Sequence, residues 1–184
     1  MRKTALYALM AAGFLGACST HQVPMTYSPS AVQKPMSTKP NVDVISVTDS
    51  RKYTGKHLGA IRGGYGNAVK TIEASGPVKD VVRKAFEDAL DARGLLAPAK
   101  DGSYGLDIVV EKFDCSQFVR KEAHARFRVT VLDKKTGQPV YSKVSTDNRE
   151  DTGNPFATGI FGSVEELTKL ANDSMQATID EALD

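Results

Sequence analysis

The sequence predicts an α+β fold: a mixed, mostly antiparallel sheet of about four strands with two helices packed on one face. Three observations carry the prediction. Residues 75–94, SGPVKDVVRKAFEDALDARG, place Val78, Val81, Val82, Ala85, Phe86, Ala89 and Leu90 at helical spacing. Residues 123–133, AHARFRVTVLD, alternate Ala123, Ala125, Phe127, Val129 and Val131 with His124, Arg126, Arg128 and Thr130, a strand period. From Ser163, a second helical stripe runs through Val164, Leu167, Leu170, Ala171, Met175, Ile179, Ala182 and Leu183. Each helix has one apolar stripe to bury and the strands have one apolar face. Two layers satisfy all of them.

Taken in order, residues 1–17 come first. Arg2 and Lys3 precede an uncharged run from Ala5 to Ala17. The run is shorter than the roughly 20 apolar residues a spanning helix needs, and the pattern is that of a secretory signal. Leu15-Gly16-Ala17-Cys18 resembles the lipobox of bacterial lipoproteins. That resemblance implies that Cys18 becomes an acylated N-terminus, the lipid anchor of the mature chain. Several acyl chains hold a protein on a bilayer, whereas one holds only marginally. In such lipoproteins of diderm bacteria an aspartate after the cysteine commonly retains the chain at the inner membrane. Ser19 stands there instead, which implies the periplasmic face of the outer membrane.

Residues 18–40 hold four of the eight prolines, with frequent Ser and Thr and no apolar period. They read as the lipidated cysteine followed by a tether. Residues 41–184 read as one periplasmic domain. Val42, Val44, Ile45 and Val47 open it as an interior strand. Residues 52–75 are rich in glycine; they read either as a hairpin with arms at 58–61 and 68–72 or as a loop. Pro77 suits the first turn of the next helix and Gly94 its stop. A helix between the first strand and the next predicts a right-handed crossover and a parallel pair. Leu106, Ile108 and Val110 face one way. The turn DKKTGQ, with Gly137, leads into PVYSKVS, where Val140 and Val144 are expected inward. Ser163 and Glu166 have capping-box spacing.

Removing Arg2 and Lys3 from the 24 basic residues leaves 22, equal to the 22 acidic ones. A neutral chain without a dense basic face gives no reason to expect nucleic-acid binding. Cys115 is then the remaining thiol, without an intramolecular partner, and reads as a half-buried strand residue. Asp151-Thr152-Gly153 matches the triplet of aspartic proteases, but as a single copy in a polar turn after Arg149-Glu150. The glycines around Tyr65 lack the Gly-Lys-Ser/Thr of a phosphate loop, no serine sits in a Gly-x-Ser-x-Gly elbow, and His21, His57 and His124 lack zinc spacing. No catalytic residue, metal or cofactor is therefore expected. His124, Arg126 and Arg128 read either as a solvated face paired with Asp107 and Glu111 on the neighbouring strand or as a basic stripe for an anionic glycan or lipid headgroup. Phe156, Ile160 and Phe161, set between glycines in 153–163, either close the end of the core or form an exposed lip for a partner or an acyl chain.

The order of VTDSR (47–51), the helix of Val78 to Gly94, LDIVVEKF (106–113) and TVLDKKTGQPVYSK (130–143) resembles the YajG-type family of bacterial outer-membrane lipoproteins. That resemblance implies an envelope lipoprotein and supplies no catalytic residues. The expectation is a membrane-anchored, non-enzymatic binding or assembly module with an envelope protein as partner. The alternative is a carrier of a lipid or glycan, with an apolar cavity between helices and sheet.

Overall fold

A computed structural model describes residues 19–28, 40–98, 101–152 and 161–184. Nine elements follow in order: β1 (Ser19–Val23), β2 (Val42–Asp49), β3 (His57–Arg62), β4 (Ala68–Ala74), α1 (Val78–Ala92), β5 (Tyr104–Gln117), β6 (Lys121–Asp133), β7 (Pro139–Asp151) and α2 (Val164–Leu183). The sheet has seven strands, not about four, in the order β1-β4-β3-β5-β6-β7, with β2 also on β5. Nor is it mostly antiparallel by pairs. β1–β4, β2–β5 and β3–β5 are parallel; β3–β4, β5–β6 and β6–β7 are antiparallel. The α+β class stands, and α1 and α2 share one core with the sheet.

The extra strands are ones whose burial leaves little periodic trace. β3 and β4 are the hairpin reading of the glycine-rich segment, and its turn closes through Gly63 and Gly66. β1 falls where a tether was expected. Only Val23 of this strand is buried, and the other anchors, Met25 and Tyr27, lie beyond Pro24. The rest of the expected tether, 29–39, and the whole of the expected signal, 1–17, lie outside the described residues.

β5 is the spine of the sheet. β6 covers one edge along its whole length, while β2 and then β3 share the other: Val42–Asp49 pair with Tyr104–Val110, and Gly59–Ile61 with Cys115–Gln117. The predicted parallel pair is β2–β5, with β3 and β4 as well as α1 in the connection between them. A register shift between Val110 and Lys112 changes the parity of β5, so Leu106, Ile108 and Val110 share the core with Phe113 and Cys115. Phe127 stacks edge-to-face with Phe86 of α1 and Phe113 of β5, at 5.9 and 6.2 Å between ring centres. These rings lie in the core between α1 and the sheet.

In β7 the expected inward face is reversed. Ser145 lies opposite Phe127 and is fully buried, while Val140 is 56% exposed and Val144 pairs with Arg128 on the outer face. A register shift at Val131/Leu132 displaces the strand by one residue, which turns every side chain over. Both helix ends behave as predicted: Gly94 adopts φ +67 after α1, and the Ser163 hydroxyl accepts the Glu166 N–H at 3.2 Å.

Candidate functional site

Where β2 hands over to β3, the edge of β5 at residues 111–114 has no strand partner among the described residues. Arg51 fills the gap. Its Nη1 donates to the carbonyls of His57 and Phe113, each at 2.8 Å, and its Nε and Nη2 hold both oxygens of Asp49 at 2.8 and 2.9 Å. Burial alone would raise the Asp49 carboxyl, but this fork outweighs it and holds the group below the usual carboxylate range. On the far side of the sheet from the helices, the same junction opens a cleft of about 580 Å³ lined by Tyr53, His57, Arg62, Glu111, Lys112 and Asp114 among others.

Glu111 at the cleft is engaged from the neighbouring strand. Glu111 accepts from Arg126 at 2.7 Å and from Arg128 at 2.6 Å, and those two guanidiniums hold its carboxyl below the usual range. Glu111 is the acid the basic stripe was expected to find. Asp107 is not: it accepts from Ser46. His124 bonds Asn148 at 2.8 Å, and His57 meets the Tyr53 ring edge-on at 5.5 Å. Cys115 is 2% exposed, and burial, helped by the charge of Asp114, pushes its thiol up to about 12. It is a protonated core residue at neutral pH. Among the described residues, no group of three or more His, Cys, Asp or Glu is placed to hold a metal ion.

A second arginine fastens the N-terminal segment. Thr26 N–H donates to Asn172 at 2.9 Å and Ser28 N–H to Gln176 at 3.3 Å, so residues 24–28 run along α2. Tyr27 donates to Asp180 at 2.5 Å, and Arg93, at the end of α1, donates to the Tyr27 hydroxyl at 2.9 Å and to Asp180 at 3.0 Å. Burial first, then the bond to Asp180, raise the Tyr27 phenol above its ordinary value.

The third feature is one end of the sheet. Strand register defines a row across it: Ser19, Lys70, Ile61, Gln117, Lys121 and Asp151 are successive partners. Just past this row lie the β3–β4 turn with fully exposed Tyr65, the β5–β6 turn with Phe118 and Val119 (44% and 63% exposed), and Phe161 (74% exposed) before α2. Gly162 fixes Phe161 here. Its carbonyl accepts from Lys70 at 2.8 Å, and an added Cβ would come within 2.6 Å of Ile61.

Of the predicted site residues, Phe161 is exposed on this end, while Cys18, Phe156 and Ile160 lie outside the described residues. Tyr65, Phe118 and Val119 were missed. The available signal was two large apolar residues in the turn between alternating strands, a place where turn chemistry favours polar ones.

A family model described as "uncharacterized lipoprotein" matches residues 29–182. Among solved structures, a protein from Xanthomonas campestris is 15% identical, with a TM-score of 0.63 over 90% of this chain and 92% of its own. A structure titled only as an uncharacterized protein is 13% identical, with a TM-score of 0.52 over 91% and 98%. These two share the fold. A PelC dodecamer from Paraburkholderia phytofirmans is 16% identical, with a TM-score of 0.44 over 78% and 88%. No curated protein sequence matches the chain.

Proposed function

The chain belongs to the family of lipoproteins whose model spans residues 29–182, and from that premise we propose that it is a non-enzymatic binding or assembly module of the cell envelope. It is held by acylated Cys18 on the periplasmic face of the outer membrane, with an envelope protein as its partner. The YajG-type resemblance is the finer form of the same reading.

One observation carries the reading beyond the family. The residue after the lipobox cysteine is the first residue of a strand, and β1 is paired along its whole length with β4. A cysteine so placed is the mounting point of a folded body. The Arg93–Tyr27–Asp180 cluster secures that mounting from behind. The capture of Glu111 by Arg126 and Arg128, and of Asp49 by Arg51, favours a binding role over bond-making.

Labelling intact cells with a palmitate analogue tests the anchor. Wild type takes the label and Cys18→Ala does not; label that survives the substitution overturns it. Membrane fractionation tests the address. Wild type bands with outer membrane, and Ser19→Asp shifts the chain toward the inner membrane.

A further inference from the structure

We infer that the end of the sheet bearing Tyr65, Phe118, Val119 and Phe161 seats in the interfacial layer of the bilayer that holds the anchor; the inference rests on the acylation of Cys18 proposed above. Three separate connections bring these residues to one end, although Tyr65 and Phe161 stand 96 positions apart in sequence. The row behind them has six members, Ser19 to Asp151, so it is about 24 Å wide at the usual strand spacing.

The occupant of this surface follows from where the chain leads. Ser19 begins the row. The α-carbon of Cys18 is therefore about 3.8 Å from that of Ser19, the fixed span of one trans peptide. Acyl chains attached there enter the membrane beside the β3–β4 turn and within a sheet's width of Phe118 and Phe161. Aromatic and aliphatic side chains displayed next to such an entry point match the apolar-to-polar gradient of the interface. The opposite end of the sheet lies farthest from the anchor; its β6–β7 turn is Lys134-Lys135-Thr136-Gly137-Gln138, polar and basic at the tip, with Tyr104, Val140 and Tyr141 exposed behind it.

Charge does not supply the attraction. Arg120 pairs with Glu122 and Glu150 at 2.7 and 3.1 Å, and Lys121 with Asp151 and Glu166 at 3.1 and 2.6 Å. With both signs present, seating varies little between ~0.05 and ~0.5 M salt, unlike adsorption to anionic headgroups.

The chain has no tryptophan, so single reporters can be placed without background. The acylated full-length mature chain is reconstituted into vesicles of phosphatidylethanolamine and phosphatidylglycerol carrying brominated acyl chains. Phe118→Trp and Phe161→Trp lose roughly half their fluorescence to bromine, while Tyr141→Trp, on the strand that starts at the opposite end, loses less than about a tenth. Tyr65→Trp repeats the test at a site in a turn, should either phenylalanine variant misfold. Equal quenching at both ends, or none at 118, 161 and 65, overturns the inference; the latter is the result if this end faces a protein. Mass spectrometry of the purified chain reads acylation separately. If Cys18 proves unmodified the anchor reading fails, and the same series on the unacylated chain mixed with vesicles still decides: selective quenching upholds the seating and its absence overturns it.

Discussion

Arg51 and Arg93 are both buried, 9% and 3% exposed, yet they join different kinds of partner. Arg51 lies inside the sheet and donates mainly to main-chain carbonyls, standing in for ladder bonds that β5 cannot make between β2 and β3. Arg93 lies at the ends of the two helices and donates to side chains, Tyr27, Asp180 and Asp184. The first repairs a discontinuity within the fold. The second attaches a segment to a fold already complete. Loss of the first should therefore be felt throughout the domain, and loss of the second mainly in residues 19–28.

The largest effect expected is that of Arg51→Met. It strands a carboxylate that is 8% exposed and frees three main-chain carbonyls, a loss of about 4 kcal/mol. Urea denaturation reads it as a lower midpoint at unchanged slope. A loss below about 1 kcal/mol would show that water replaces the guanidinium at the junction.

Arg93→Met should cost less, about 2 kcal/mol, because Asp180 is 25% exposed and regains water. Its signature is local: amide exchange quickens in Thr20 to Val23, while β6 keeps its protection. Unchanged protection in β1 would separate Arg93 from the docking of the segment. Tyr27→Phe removes only the hydroxyl and should cost about 1 kcal/mol, with the same local pattern.

The smallest effect sharpens the contrast through pH. Asp49 titrates lower folded than unfolded, so its contribution is present above the unfolded value of 3.8 and is lost as pH falls below that through the folded value. Tyr27 titrates higher folded than unfolded, so its contribution is present below 10.0 and is lost as pH rises beyond that through the folded value. Melting temperatures should show the Arg51 cluster weakening in acid and the Arg93 cluster in alkali. Tyr27→Phe should flatten only the alkaline limb.

Much of this was legible in the residues. The stripe of α1 and the alternation of β6 read correctly because each buries one continuous face against one neighbour. β1 was hidden because its anchors are Val23, Met25 and Tyr27, split between a strand end and the run between Pro24 and Pro29. In β7 the valines misled because parity is set by a register shift in the hairpin, which sequence does not encode locally. Of the candidate site, Phe161 could be named from its glycine-flanked setting. Tyr65, Phe118 and Val119 could not be grouped with it. Only the strand registers bring their turns to one end.

The parallel register of β1 on β4 has a mechanical consequence. Tension applied at residue 18 along the strand loads the ladder from Ser19/Lys70 to Val23/Ala74 in shear, all its bonds together, instead of peeling them one by one. Behind that ladder the Tyr27 latch takes up the same load. A tug at that end is thus carried into the body of the domain, which moves with it as one piece.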